Sequence, residues 1–159
     1  MKFEDAVKIV LELEGGVSDD SRDPGKLTKW GISSVYYPQV LDPSFTREDA
    51  VQIYHSDFWN AFQCDKLPHG LDLMFFDCAV NQTQQAKRML QRSVKVTADG
   101  VIGPITLAAI RAVPSPLTLI KELAAQRAVA YARNPNVTTF GLGWYRRLIE
   151  ITSQSILSP

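Results

Sequence analysis

The chain has 159 residues, 45% of them hydrophobic, with 17 Lys and Arg balanced by 17 Asp and Glu. That length and apolar content suit one compact unit with a real core, and no run approaches the roughly 18 apolar residues of a membrane-spanning helix, so membrane insertion is not expected. Cys64 and Cys78 could pair with each other but are too few for a disulfide framework, and buried thiols are the expected state. His55 and His69 stand alone, without ligand spacing around them, so neither a metal nor another cofactor is expected. The balanced charge hides a split: residues 1–83 are strongly acidic and residues 84–159 strongly basic. The basic half either meets an anionic polymer or complements the acidic half within one fold. Its cations are dispersed, with few aromatics between them, which argues against nucleic acid. Glu4, Asp5 and Lys8 make the first residues neither a secretory signal nor an anchor.

In chain order, Phe3, Val7, Val10 and Glu14 recur at the spacing of one helical face, widened by Leu11 and Leu13. Glu14 therefore points toward the buried side, in the last turn, where the helix dipole disfavours an anion. Gly15-Gly16 ends the helix. Partial burial and the dipole both raise a carboxyl pKa, as a general acid near neutrality requires. The alternative is a helix-end residue turned to water or paired with an arginine. A second carboxylate, Asp23, stands in Asp23-Pro24-Gly25, which also reads as an ordinary turn. Thr28 follows in Leu27–Ser33, whose alternation suits a short strand. A loop of this length folds back as a small hairpin and sets Asp23 and Thr28 opposite Glu14 across a cleft. That arrangement suits glycoside hydrolysis, in which an acid protonates the leaving group and a neighbour positions water.

The remainder reads as helices around a core. Thr46 and Asp49 form a capping box, and Ala50, Tyr54, Phe58 and Phe62 mark the face that follows. At that spacing core packing is expected rather than contact with sugar rings. Leu71 to Val80 is a strongly apolar helix interrupted by Asp72 and by Asp77, a structural hydrogen-bond acceptor or a cleft residue. Thr83 caps the next helix, with Ala86, Met89 and Leu90 on its inner face. Asp99-Gly100 marks a turn, and Gly103-Pro104 opens a helix with proline at its first position. Pro114-Ser115-Pro116 closes that helix, and Leu117 to Arg133 forms a long one. Asn134-Pro135-Asn136 makes a loop before a final helix that begins near Trp144. There is no repeat, low-complexity tract or flexible linker.

Together, Glu14-Gly15-Gly16, Asp23-Pro24-Gly25, Thr28 and Gly31-Ile32-Ser33 resemble the signature of the glycoside hydrolase family 108 muramidases. The Glu, Asp, Thr order is similar to that of the family 24 phage lysozymes. Downstream, Asp77, Val80-Asn81, Ala86, Leu90-Gln91-Arg92, the Asp99 to Pro104 stretch and Thr106-Leu107 resemble the peptidoglycan-binding segment that completes these enzymes. Phe140, Gly143-Trp144 and Arg146-Arg147 are similar to its usual ending. The resemblance covers nearly the whole chain. Lys26 stands where a second glycine is usual and Val17 where an aromatic is common, which bears on substrate fit more than on catalysis.

The expected fold is mainly α, a lysozyme-like α+β globule with one small β-hairpin near residues 17–34. Residues 1–83 form the catalytic region, and residues 84–159 a helical peptidoglycan-binding segment packed into the same globule. The resemblance implies hydrolysis of the β-1,4 bond between N-acetylmuramic acid and N-acetylglucosamine. Glu14 would be the acid, with Asp23 and Thr28 holding water and offsetting oxocarbenium charge. Whether Asp23 is base, nucleophile or stabiliser stays open, as does inversion or retention. The implied partner is peptidoglycan, and the expected state is a monomer. The expected setting is a phage endolysin made in the host cytoplasm and released to the wall by a holin. Two alternatives stand beside it. A lytic transglycosylase needs no positioned water, so Asp23 and Thr28 count against it. A non-catalytic wall-binding protein is what the Asp99-Gly100 motif alone allows.

Overall fold

The computed structural model describes residues 1–14, 17–18 and 27–157. Seven α-helices lie among them: α1 (Phe3–Glu14), α2 (Arg47–Ile53), α3 (Leu71–Asn81), α4 (Thr83–Ser93), α5 (Pro104–Ala112), α6 (Pro116–Ala132) and α7 (Val137–Leu157). A small antiparallel sheet completes the expected mainly helical arrangement, with strands β1 (Val17–Ser18), β2 (Thr28–Lys29) and β3 (Ile32–Ser33) in that order.

The sheet is a three-stranded meander rather than a single hairpin. Leu27–Ser33, read as one strand, is split by a tight turn at Trp30 and Gly31, whose φ angles of 49° and 79° are both positive. Two consecutive positive φ values are what a two-residue hairpin turn of the primed type demands. The register pairs Thr28 with Ser33 on one side and with Ser18 on the other.

Helix α3 is the centre of the molecule. Every residue from Leu71 to Ala79 is buried, the mark of a helix covered on all sides. Helices α1, α4, α6 and α7 surround it. One apolar cluster joins Val10 and Phe76 to Leu90, Leu123 and Ile151. Gly70, with φ +81°, precedes α3 where an added Cβ would stand 2.2 Å from the Ser155 carbonyl of α7. Asp72 is buried and pairs with the Met1 amino group.

The capping box at α2 is present: Asp49 N–H donates to Thr46 Oγ1 at 3.2 Å, and Thr46 N–H donates to Asp49 Oδ2 at 2.7 Å. Ala50, Tyr54 and Phe62 are buried, so this face packs the core. From Tyr54 to Asn60, however, the chain winds as a π-helix, a widening that apolar periodicity does not announce. Thr83 is not a cap. It is the first residue of α4, and its hydroxyl donates to the Ala79 carbonyl at 2.7 Å. The final helix starts at Val137, not near Trp144. Gly141 and Gly143 lie inside it; each costs roughly 1 kcal/mol relative to alanine, and the packing of α7 against α6 and α3 outweighs that cost. Cys64 and Cys78 are free and buried. Burial pushes the Cys78 thiol up to about 12 and the Cys64 thiol well above its ordinary value. Among the described residues no helix is long and apolar enough to cross a membrane.

Candidate active site

Glu14 ends α1 with its side chain 18% exposed. Its Oε1 lies 2.8 Å from Nη2 of Arg147, a residue of α7. The same Nη2 lies 2.7 Å from Asp77 Oδ1, and Arg147 Nε donates to that oxygen at 2.9 Å. Nη2 aims no well-aligned hydrogen bond at either carboxylate. Its tie to Glu14 is a close ion pair, while the Nε hydrogen bond fixes the guanidinium on Asp77. Behind Asp77, Arg127 is fully buried in α6, donating from Nη2 to Asp77 Oδ2 at 2.6 Å and from Nε to Gln82 Oε1 at 2.9 Å. Four charges of alternating sign thus run from Glu14 through Arg147 and Asp77 to Arg127.

Burial and arginine pull Glu14 in opposite directions. Desolvation is the larger influence and raises its pKa; Arg147 lowers it, and Asp77 raises it again, so the carboxyl titrates above its ordinary value. Burial works against the charge on Arg147, but Asp77 and Glu14 more than offset it and keep the guanidinium cationic. Glu14 is consequently both a half-buried acid and the partner of an arginine. The arginine pairing is the alternative that the sequence offers for this residue, and it is present together with the partial burial.

The β2–β3 turn presses on the same carboxyl. A Cβ at Gly31 would stand 2.7 Å and 2.8 Å from Glu14 Cγ and Cδ and 2.3 Å from Tyr54 Oη. With φ at +79° as well, only glycine fits. Tyr54 Oη donates to the Trp30 carbonyl at 3.0 Å, holding the turn in place. Burial, then the charge on Glu14, raise the Tyr54 pKa far above its ordinary value, so the phenol stays a neutral donor.

Gly31 and Tyr54 also form one wall of an open groove of about 700 Å³. Ser33, Tyr37 and Asp57 line it too, as do Asn81, Gln82, Gln85, Tyr131 and Trp144. Asp57 accepts from Tyr37 Oη at 3.0 Å and from Ser56 Oγ at 2.6 Å. Partial burial and Asp57 push the Tyr37 phenol up to about 12. Another hollow, of about 810 Å³, lies at the other end of α1 against Phe3, Phe45 and His55 and touches none of these groups.

Of the three residues expected in the site, Glu14 stands at this corner. Thr28 is half-buried on β2, in the hairpin whose turn touches Glu14. Asp23 lies outside the described residues, as do Gly15, Gly16 and Lys26. Reading the sequence missed Arg147, Gly31, Tyr54 and Asp57 as members of the corner and its groove. Gly31 and Arg147 sat inside stretches already noted, Gly31-Ile32-Ser33 and Arg146-Arg147, without a role. Nothing in an aromatic at core spacing distinguishes Tyr54. Among the described residues no group of three or more His, Cys, Asp or Glu is placed to hold a metal ion.

A family model described as glycosyl hydrolase 108 matches residues 7–82, and one described as a predicted peptidoglycan domain matches residues 85–149. The chain is similar to the solved structure of Brucella abortus SagA at 33% identity and a TM-score of 0.86, covering 97% of this chain and 93% of that one. No curated protein matches it.

Proposed function

The chain belongs to the glycosyl hydrolase 108 family, and from that premise we propose that it is an N-acetylmuramidase with Glu14 as its general acid. At the coarser level it is a glycoside hydrolase acting on peptidoglycan. The finer reading, cleavage between N-acetylmuramic acid and N-acetylglucosamine, rests on one observation above others. A half-buried carboxyl of raised proton affinity is held between a turn glycine and a cationic arginine, beside a groove of aromatic and amide side chains. Aromatic faces suit the apolar faces of sugars, and amides suit acetamido groups.

In this reading Glu14, whose proton affinity burial raises, gives its proton to the glycosidic oxygen as the bond to the ring carbon stretches. The carboxylate that results is left beside Arg147, whose charge stabilises it as it forms. Arg147 stays in place meanwhile because Asp77 holds it. Asp23 and Thr28 supply water and offset oxocarbenium charge, as the family resemblance implies. Residues 1–83 carry the acid and the hairpin, and residues 84–159 the wall-binding segment, from which Arg147 and Trp144 reach back to the site. The endolysin role, with release by a holin, rests on the resemblance to phage lysozymes alone. Expression in a bacterium with and without a pore-forming partner tests it, lysis being expected only with the partner.

Mass spectrometry of muropeptides released from purified sacculi tests the chemistry. The wild-type chain is expected to leave reducing muramic ends, each heavier by one water than an anhydro end, and Glu14→Gln to leave none. Anhydro ends would assign the protein to the transglycosylases, and no cleavage by the wild-type chain would leave a wall-binding protein.

A further inference from the structure

Phe140, Gly143, Trp144 and Arg147 follow the i, i+3, i+4, i+7 spacing along α7 and so share one edge of that helix. Arg147 stands at Glu14. By the rise of an α-helix, Trp144 lies about 4.5 Å and Phe140 about 10.5 Å farther along the axis. Trp144 lines the groove with Tyr131, while Phe140 lies beyond the groove, 55% exposed. The three rings form a run: Tyr131 and Trp144 have centroids 5.4 Å apart at 30°, and Trp144 and Phe140 6.1 Å apart at 34°. They are nearer to parallel than to edge-on, so their faces turn the same general way. Tyr131 anchors the run from below, packed edge-on against Tyr145 at 5.9 Å and 85° and reached by Arg127.

Gly143 sits between the two outer rings, and the fold gives no reason for it. A Cβ there would meet nothing within 4 Å, whereas one at the neighbouring Gly141 would stand 2.8 Å from Val137 Cγ2. A glycine that weakens its helix without relieving any internal contact leaves open space on the outside of the molecule. Among the described residues no Lys or Arg lines the adjoining groove, and the path it continues suits uncharged, partly apolar surfaces.

We propose that this edge of α7 is a glycan-strand track leading away from Glu14, with Trp144 and Phe140 as successive stacking platforms and Gly143 as the gap through which a sugar ring reaches the helix backbone. The track rests on the muramidase reading and adds to it that the enzyme prefers strands long enough to reach Phe140. A short fragment fills only the groove and forgoes the outer ring.

Calorimetric titration tests this, with peptide-free glycan strands of two lengths and the full chain carrying Glu14→Gln to stop turnover. One stacked ring corresponds to about a tenfold advantage of the long strand over the short. Phe140→Ala and Gly143→Leu, each in the Glu14→Gln chain, are expected to erase that advantage. Leucine is a good helix former, and a Cβ at this position meets nothing within 4 Å, so loss of long-strand affinity in Gly143→Leu at an unchanged melting temperature reports blocked access. Equal affinity for both lengths before any change at α7, or an advantage that survives both substitutions, would overturn the track. The wild-type chain assayed on sacculi separates the two levels. Cleavage with an unaffected length preference sinks the track alone, and no cleavage sinks the muramidase reading beneath it.

Discussion

Two polar corners of this molecule were both singled out by motifs, and they use their polar groups in opposite ways. Around Glu14, four charged side chains from α1, α7, α3 and α6 meet with little water, and the outermost keeps a raised pKa and an edge open to solvent. Around Gln91, a buried neutral amide closes a loop. Its Nε2 donates to Asp99 Oδ1 at 2.6 Å and to the Val101 carbonyl at 3.1 Å, and its Oε1 accepts from Gly100 N–H at 2.7 Å. Asp99 also accepts from Val101 N–H at 2.8 Å, and these bonds hold its pKa below the ordinary value. The Asp99-Gly100 motif is thus consumed in stapling the loop between α4 and α5. The Glu14 corner leaves one buried nitrogen without an aligned hydrogen bond and one carboxyl with a raised pKa. Where internal partners satisfy every group, a motif marks structure; where charge is held at a cost, it marks chemistry.

The largest test of that contrast is Glu14→Gln. Activity on sacculi is expected to fall about 10²- to 10⁴-fold, the range for loss of a general acid. The same change should leave the fold more stable at neutral pH. A carboxyl whose folded pKa is raised contributes stability below its unfolded pKa and loses it as pH rises through the folded pKa. The melting temperature of Glu14→Gln should therefore exceed that of the wild-type chain above that pKa, and the gap should close toward acid. A variant that melts lower at neutral pH would mean that the Arg147 pair outweighs burial.

Asp77→Asn breaks the same corner from behind. It leaves Arg127 and Arg147 short of a buried counter-charge, which costs about 3–5 kcal/mol, measurable by urea unfolding. Activity should fall with it, because Arg147 loses its anchor. Gly31→Ala acts on the turn: the strained backbone costs about 1–3 kcal/mol, and the new methyl group displaces the Glu14 carboxyl, so kcat should drop more than stability predicts. Gln91→Ala is the counterpart in the stapled loop. It should lower stability by about 1–3 kcal/mol through unpaired buried groups, while kcat of the folded protein stays that of the wild type. A kcat loss there would erase the contrast between the corners.

Much of the scaffold was legible because it rests on local signals. The Thr46–Asp49 box, the apolar run of α3 and Pro104 at the start of α5 each encode an element within a few residues. Glu14 was legible for the same reason, since its helical spacing and the glycines after it fixed its burial and its place in the last turn. What stayed hidden depends on distant residues. Arg147 reaches Glu14 across most of the chain, and no periodicity in α7 marks which of Arg146 and Arg147 turns inward. The π-helical stretch at Tyr54 and the early start of α7 through two glycines are local rules overridden by packing.

The account turns on which influence governs Glu14, burial or Arg147. Carbon NMR of the labelled Glu14 carboxyl, followed through a pH titration of the wild-type chain, reads this directly, alongside the pH dependence of kcat/KM. The predicted result is a midpoint above the ordinary glutamate range that coincides with the fall of kcat/KM toward alkaline pH, since only the protonated acid can donate. A midpoint at or below the ordinary value, or one unrelated to the activity profile, would contradict the assignment of Glu14 as the acid.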